Sequence, residues 1–244
     1  AISYARRGDY WGADLAVNRG RNNFDSLRID YYRDDTVALE AFKAHEFDWR
    51  TENTAKVWAK AYNGPAIEAG LINKIEIPHE QPTGLSAFVF NTRQPLFADR
   101  RVREALALVF DYEWTNKNLF FGAYTRTRSY FSNSELASSG LPSAAELALL
   151  EPYRGRIPDE VFTTEFIPPT TDGSGKNRRS LRAASKLLRE AGWVVSDGKL
   201  VHGETGAPFE FEFLMQSGGA FERIVQPFAR NLERLGITVN IRLV

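Results

Sequence analysis

The clearest periodic stretch of the chain is Phe209-Glu210-Phe211-Glu212-Phe213-Leu214-Met215. Apolar and acidic residues alternate along it, which predicts a half-buried β-strand. A helical pattern with one apolar side follows, formed by Phe221, Ile224, Val225, Phe228, Leu232 and Leu235. Pro227 lies inside this pattern and is expected to kink the helix. Ile237, Val239 and Ile241 then alternate with polar residues and predict a last strand.

The sequence before this stretch is mainly helical. A helix is predicted from Ser180 to a stop at Gly192, followed by a hairpin at residues 194–201 that turns at Asp197-Gly198. Further upstream, the patterns predict a helix capped by Asp99, and a second one capped by Asp111 that ends at Gly122. Residues 125–175 read as a long irregular excursion with a short helix at 143–150, and such long loops often serve as lids.

The first eighty residues predict strands at 27–31, 47–49 and 72–77. Helices at 34–44 and 54–62 separate these strands, an order that favours an α/β fold. The opening residues 6–24 lack a period and predict a loop with buried aromatic anchors, among them Tyr10 and Trp11. Residues 81–86 break the pattern before an apolar strand at 87–91. We therefore predict one domain at residues 1–81, a crossing at 82–86 and a second domain at 87–244.

Composition excludes several classes of function. The 31 basic residues balance the 31 acidic ones, so no global field directs the chain to nucleic acid or anionic lipid. The absence of cysteine excludes disulfides, thiolate metal sites and a cysteine nucleophile. No apolar run reaches the roughly 20 residues that span a bilayer. Ala1 is not an initiator methionine, and the first residues do not form a signal peptide with a basic start and an apolar middle. The last strand runs to the end of the chain, so we expect a fragment of something longer.

Catalytic and metal-binding motifs are weak. His45, His79 and His202 lack partners at metal-ligand spacing. The stretch 170–177 fails the phosphate-loop pattern, because Thr170 stands where the first glycine belongs and Asn177 where a magnesium-binding hydroxyl belongs. The carboxylate pairs at 34–35 and 210/212 are better explained as helix capping and as the polar side of a strand. We predict no catalytic residue, metal or cofactor.

Binding is better supported than catalysis. Polar residues flank Tyr124, Tyr130 and Phe131 in the loop after Gly122, with Arg126 and Arg128 nearby to meet a carboxylate. The basic run at 176–179 is interpreted as a solvated approach to a helix rather than a nucleic-acid site, because the net charge is zero.

The order of five motifs resembles the family 5 extracellular solute-binding proteins. These motifs are Asp9-Tyr10-Trp11-Gly12, Phe47-Asp48 after its strand and helix, Phe90-Asn91-Thr92 with Pro95–Leu106, Ala184–Trp193, and Leu235-Gly236-Ile237. The run Tyr130–Ala137 further resembles the branch that serves oligopeptide and microcin C uptake. The resemblance implies a periplasmic receptor of an ABC importer, with the type II periplasmic binding protein fold of two α/β lobes that close about a hinge on a peptide-like ligand. Members are about twice this length, so the chain would hold parts of two lobes.

The resemblance also implies where the ligand binds. The crossing Pro82-Thr83-Gly84-Leu85-Ser86 would line the cleft, as would Glu52 and Asn53 of the first lobe. The second lobe would contribute Tyr124, Arg126, Gln216 and Ser217. The acidic anchor for a peptide amino terminus would lie beyond Val244. The expected partners are an oligopeptide and the permease subunits.

Two other classes of function stay open. A hydrolase or transglycosylase acting on carbohydrate or peptide predicts two acidic groups about 5 to 9.5 Å apart in an aromatic cleft. The receptor predicts instead that no titratable pair converges and that Ser86 faces Glu52-Asn53 across a crevice. An interaction module predicts a flat apolar patch. Within the family, the sequence does not separate a peptide from an opine, a sugar or a metal chelate.

Overall fold

A computed structural model describes residues 1–216 and 221–244. Its helices are α1 (Asp35–Lys43), α2 (Ala55–Lys60), α3 (Pro65–Glu68), α4 (Pro95–Ala98), α5 (Arg100–Val109), α6 (Tyr112–Leu119), α7 (Ala144–Leu150), α8 (Glu160–Thr163), α9 (Arg178–Glu190) and α10 (Glu222–Glu233). Its strands are β1 (Ile2–Ala5), β2 (Ser26–Ile29), β3 (Trp193–Ser196), β4 (Lys199–His202), β5 (Glu210–Met215) and β6 (Thr238–Leu243). None of these helices is long and apolar enough to span a bilayer within the described ranges.

Backbone contacts divide the chain into two units. The N-terminal unit consists of Ala1–Asn53 and Tyr62–Lys74, and the C-terminal unit of Thr54–Ala61 and Ile75–Val244. The assignment of residues 1–81 and 87–244 to two lobes stays a prediction.

The N-terminal unit combines a small sheet with helix α1. Strands β1 and β2 pair antiparallel, with Ile2 opposite Ile29 and Tyr4 opposite Leu27. The Asp34 carboxylate accepts the amides of residues 36 and 37 and so caps α1, as predicted. Helix α1 buries Ala38, Leu39 and Ala41.

The core of the C-terminal unit lies between α5, α9, α10 and the parallel pair β5–β6. Leu106 and Ala184 are fully buried where α5 meets α9. Strand β5 pairs with β6 in parallel, with Phe213 opposite Ile241, and α10 is the crossover between them. The predicted helix–hairpin–strand–helix–strand order of residues 178–243 is confirmed, including the turn at 197–198, where both residues have positive φ as a type I′ turn requires.

Three predicted strands are wrong. Residues 47–49, 72–77 and 87–91 are not in strands. Residues 87–91 do show the predicted alternation of buried and exposed side chains, since Phe88 and Phe90 pack on the core while Val89 is 89% exposed. However, a strand also needs a hydrogen-bonded neighbour, and residues 84–90 have none among the described residues.

The start of the chain also differs from the prediction. Strand β1 was not expected, because its four residues are too short to show a period. The aromatic residues of the opening loop are not buried anchors, since Tyr10 is 39% and Trp11 is 84% exposed. The short helix at 143–150 is confirmed, and Ser143 and Glu146 form a capping box at its start.

Candidate functional site

The predicted crossing is held at one end by the loop at residues 129–134. The amide and the hydroxyl of Thr83 both donate to the carbonyl oxygen of Ser132, at 2.9 and 3.2 Å. The side-chain amide of Asn133 donates to the carbonyl oxygens of His79 and Gln81, at 2.8 and 2.9 Å. The chain is therefore fixed up to residue 83 by hydrogen bonds across the sequence. We call residues 79–83 with 129–134 the tether.

The residues after the tether are accessible. Gly84, Leu85 and Ser86 are exposed, and their backbone groups make no backbone hydrogen bond among the described residues. Tyr130 and Phe131 in the tether loop are also exposed, to 79% and 53%. The structure thus places free main-chain donors and acceptors and accessible aromatic rings in the same unit.

The sequence of the tether loop accounts for its shape. Asn133 has a φ of 65°, a left-handed conformation that asparagine adopts more readily than most residues. The hydroxyl of Ser132 donates to the carbonyl oxygen of Ser129 at 2.9 Å, and that of Ser134 to Phe131 at 2.8 Å. Such local hydroxyl bonds stabilise turns. The run at 130–137 on which the resemblance to the oligopeptide branch depends therefore contains the residues that bind the crossing.

Glu52 lies in a buried polar cluster of the N-terminal unit. Its side chain is 5% exposed and accepts hydrogen bonds from Arg50 at 3.4 Å and from the Tyr62 hydroxyl at 3.3 Å. Burial lowers the pKa of Arg50, but the contacts with Tyr62 and Glu52 outweigh it and raise the pKa overall. Burial raises the pKa of the Tyr62 hydroxyl. Asn53 follows this cluster and is exposed.

Tyr124 and Arg126 lie in the loop after α6, and both are engaged by neighbouring residues. The Asn116 side chain donates to the carbonyl oxygen of Tyr124 at 2.7 Å and accepts its amide at 3.2 Å. The guanidinium of Arg126 lies over the Tyr112 ring, 5.3 Å from its centroid, and donates to the carbonyl oxygen of Pro169. Burial lowers the pKa of Arg126 and raises that of Tyr112.

A polar cluster that the sequence did not indicate lies beside this loop. The Thr171 hydroxyl lies 2.5 Å from a carboxylate oxygen of Asp111 and 3.1 Å from one of Glu113. The amide of Thr171 donates to the same Glu113 oxygen at 2.9 Å. Asp111 is 6% exposed and also caps α6 through the amide of Trp114, as predicted. The cluster joins the long loop to α6 across 60 positions of sequence, a separation that no local pattern reveals.

The expectation that no titratable pair converges is therefore wrong at Asp111 and Glu113. The two carboxylates of a glycosidase flank an open space for the scissile bond or a water molecule. The hydroxyl of Thr171 fills the space between these two. The pair thus has a structural role, since it connects a loop to a helix.

A shallow groove of about 440 Å³ lies next to this cluster and is lined by Tyr112, Glu113, Asn116, Lys117, Phe121 and Gly122. Phe121 has a φ of 56°, which is unusual for an aromatic residue, and Lys60 lies 5.1 Å from the centroid of its ring. The N-terminal unit has a groove of similar size along α1.

Gln216 and Ser217 are the remaining predicted site positions. Gln216 is exposed at the end of β5, and Ser217 lies outside the described residues. His79 accepts the amide of Gln81, and His202 stacks edge-on against Trp193. Residues 1–216 and 221–244 hold no group of three or more His, Asp or Glu side chains arranged to bind a metal ion.

Comparison with known proteins identifies the kind of fold. The chain is similar to a solved structure of NikA from Brucella suis in complex with Fe(III)-EDTA, with a TM-score of 0.60 and 18% identity. That similarity covers 98% of this chain and 40% of that one. The mixed helix and strand architecture thus has the type II periplasmic binding protein fold.

Sequence comparison defines the family. The profile of the bacterial extracellular solute-binding proteins, family 5 (middle), matches residues 1–244, and the chain belongs to this family. It is 49% identical to the uncharacterized protein YejA of Escherichia coli and 39% identical to the probable peptide-binding protein YejA of Agrobacterium fabrum. Each comparison covers 100% of this chain and 40% of the relative, so the chain spans well under half of their length.

Proposed function

We propose that the full-length protein is the substrate-binding component of an ABC importer, which captures oligopeptides or peptide-like solutes in the periplasm and delivers them to the permease subunits. The family and the relative named for probable peptide binding support the class of function. The tether is the observation that supports a peptide as the ligand. It fixes the backbone at Thr83 and leaves Gly84, Leu85 and Ser86 exposed, without backbone hydrogen bonds among the described residues.

This arrangement suits a peptide for a physical reason. An extended peptide is held mainly by main-chain hydrogen bonds, while accessible pockets and aromatic walls accept its side chains. A main chain fixed at one end loses less conformational entropy when a ligand pairs with it than a chain free at both ends. We therefore assign Thr83 to Ser86 as the main-chain part of the ligand site.

The other residues of the proposed site would contribute side chains. Glu52 and Asn53 would face the ligand from the first lobe, with Arg50 holding Glu52 in place. Tyr124, Gln216 and Ser217 would line the second lobe. Among the described residues, the Arg126 guanidinium donates to the carbonyl oxygen of Pro169 and lies over the Tyr112 ring, with the charge of Glu113 nearby. Its remaining donors would suit a ligand carboxylate.

Native mass spectrometry of the full-length protein, purified gently, tests the proposal. We expect a series of adducts with peptide masses, which a mixture of tri- to pentapeptides replenishes after the protein has been unfolded and refolded. A protein that is empty on isolation and stays empty with the peptides would contradict peptide capture. Adducts with Fe(III)-EDTA but not with peptides would favour a metal chelate as the ligand.

A matched pair of variants tests the part played by the tether. Asn133→Gly keeps the left-handed backbone but removes the two hydrogen bonds to residues 79 and 81. We expect several-fold weaker peptide retention, because the backbone at residues 79 and 81, which leads into residues 84–86, is then held less firmly. Asn22→Gly, which replaces another left-handed asparagine with a φ of 55°, serves as the control and should bind peptides normally.

A further inference from the structure

Helix α9 carries its positive charge on one face. Its 13 residues include Arg178, Arg179, Arg182, Lys186 and Arg189, which we call the basic face. At about 100° of rotation per residue, these five side chains fall within a sector of about 100°. The opposite side of the helix is buried in the core through Leu181, Ala184 and Leu188.

The basic face has almost no partners among residues 1–216 and 221–244. Lys186 lies 3.7 Å from Glu190, and the four arginines make no side-chain hydrogen bond or ion pair with any described residue. Residues 217–220 are Ser, Gly, Gly and Ala and hold no acidic group that could pair with them. The charge of this face is therefore not neutralised by the described part of the chain.

This arrangement is unfavourable for the helix itself. Arg178 and Arg179 lie in the first turn, which holds no acidic residue, although the helix dipole disfavours cations at that end. The N-cap residue Asn177 makes no capping hydrogen bond, and its side-chain oxygen instead accepts one from Arg234 at 3.1 Å. Arg182 also lies four residues from both Arg178 and Lys186, a spacing at which like charges repel. Features that oppose local stability in this way are typical of functional surfaces.

We propose that the basic face of α9 docks on an acidic surface of the importer's membrane-embedded subunits. This inference rests on the proposed receptor function, because only a receptor needs to dock on a transporter. Four of the five cations are arginines, whose planar guanidinium pairs with carboxylates through two parallel hydrogen bonds. The row from residue 178 to residue 189 is about 16 Å long, enough to meet several carboxylates of one surface.

The composition of the face favours a protein over a lipid surface. The other exposed residues of α9 are Ala183 and Glu190, so the face offers no large apolar side chain. Helices that bind in a membrane interface insert an apolar side as well as presenting cations. A contact made by charge alone suits a reversible encounter between two folded proteins, whose rate electrostatic attraction increases.

Two variants of the full-length protein with equal changes of charge test the proposal. The first, Arg178→Gln with Arg182→Gln and Arg189→Gln, neutralises the basic face. The control, Arg21→Gln with Arg33→Gln and Lys56→Gln, neutralises three exposed cations outside it. Binding is measured to the cognate permease complex in phosphatidylcholine nanodiscs, at low and high NaCl. The basic-face variant should bind at least about tenfold more weakly and with less salt dependence, while the control stays within about twofold.

Docking of the basic-face variant with the affinity of the wild type would overturn the proposal. If that variant also lost binding to vesicles of phosphatidylcholine and phosphatidylglycerol, the partner of the basic face would be a lipid surface. Peptide adducts of each protein, measured by native mass spectrometry, should be the same. Their absence from the wild type would contradict the receptor function separately from the docking result.

Discussion

Gly236 illustrates how a single position constrains the C-terminal unit. It has a φ of 81° and lies between the end of α10 and the start of β6. A Cβ atom at this position would lie 2.7 Å from the amide nitrogen of Leu200 and 2.9 Å from the carbonyl oxygen of Gly198. The amide of Leu200 donates to the carbonyl oxygen of Gly236 at 2.8 Å. The glycine of the Leu-Gly-Ile motif therefore allows the end of the helix to contact the hairpin β3–β4.

Gly236→Ala should destabilise the protein more than the same substitution at a glycine that has a positive φ but no close neighbours. Gly155→Ala is the matched control, because Gly155 has a φ of 79° and open space around it. We expect a loss of about 1 kcal/mol in the free energy of unfolding for the control and of about 3 kcal/mol or more for Gly236→Ala. Urea denaturation of the full-length variants, followed by circular dichroism, measures both. Equal losses in the free energy of unfolding for the two variants would show that the close contact with the hairpin does not contribute to the effect of Gly236→Ala.

Single residues were predictable where their partners are close in sequence. Asp34, Asp99, Asp111 and Ser143 were recognised as helix caps or starts, because a cap contacts amides two or three residues ahead. Thr171 was missed, since its contacts with residues 111 and 113 depend on how a long loop returns to α6. The contact of Asn133 with residues 79 and 81 is also not predictable from the sequence, because its partners are more than 50 positions away.

At the scale of elements, the charged pair Asp99–Arg101 at the start of α5 also contacts the end of α9. Asp99 caps α5 by accepting the amide of Arg101 at 2.8 Å, and it also accepts the guanidinium of Arg101 at 2.6 Å. The guanidinium donates in addition to the carbonyl oxygen of Glu190, at 2.6 Å, at the end of α9. The hydrogen bond from Arg101 lowers the pKa of the Asp99 carboxyl below its ordinary value of 3.8. The capped start of one helix thereby supports the end of the other.

The contribution of the Asp99–Arg101 pair should be visible in the pH dependence of the free energy of unfolding. A carboxyl group whose pKa is lower in the folded state stabilises it above its unfolded pKa, and that stabilisation is lost as the pH falls through the folded pKa. Asp99→Asn keeps a capping oxygen but cannot titrate, so its free energy of unfolding should fall less between about pH 7 and about pH 3 than that of the wild type. Urea denaturation at both pH values measures this, with the exposed Asp14→Asn as control. An unchanged pH dependence in Asp99→Asn would contradict the assignment.

Helices were more predictable than strands for a physical reason. The apolar periodicity of α5, α9 and α10 follows from burial of one side, and burial is visible in the sequence. Residues 87–91 show the alternation of a strand, and Phe88 does pack on Phe213 and Phe228. Strand pairing, however, depends on a neighbour that the alternation cannot specify.

At the scale of the whole molecule, large apolar side chains remain exposed. Strands β1 and β2 place Ile2, Tyr4, Leu27 and Ile29 on the same side of their sheet, and all four are exposed, to between 38% and 55%. We call these residues the apolar sheet face. Trp11, Phe24 and Val89 are exposed to 80% or more. The relatives are about two and a half times as long as this chain, which covers 40% of them. Folded proteins that stay monomeric seldom leave such contiguous apolar surface and open sheet edges uncovered.

Residues 1–244 produced on their own should therefore self-associate more readily than the full-length protein. Sedimentation velocity over a range of concentrations measures this directly. Tyr4→Lys with Leu27→Glu places an opposite-charge pair on the apolar sheet face, since the two residues lie directly opposite each other, and should reduce association. Ser3→Lys with Arg28→Glu makes the same kind of pair on the other side of the sheet and should leave association unchanged. A monodisperse monomer at high concentration would contradict the prediction. If the two variants reduced association equally, the added charges would act regardless of their position, and the apolar sheet face would not be the contact surface.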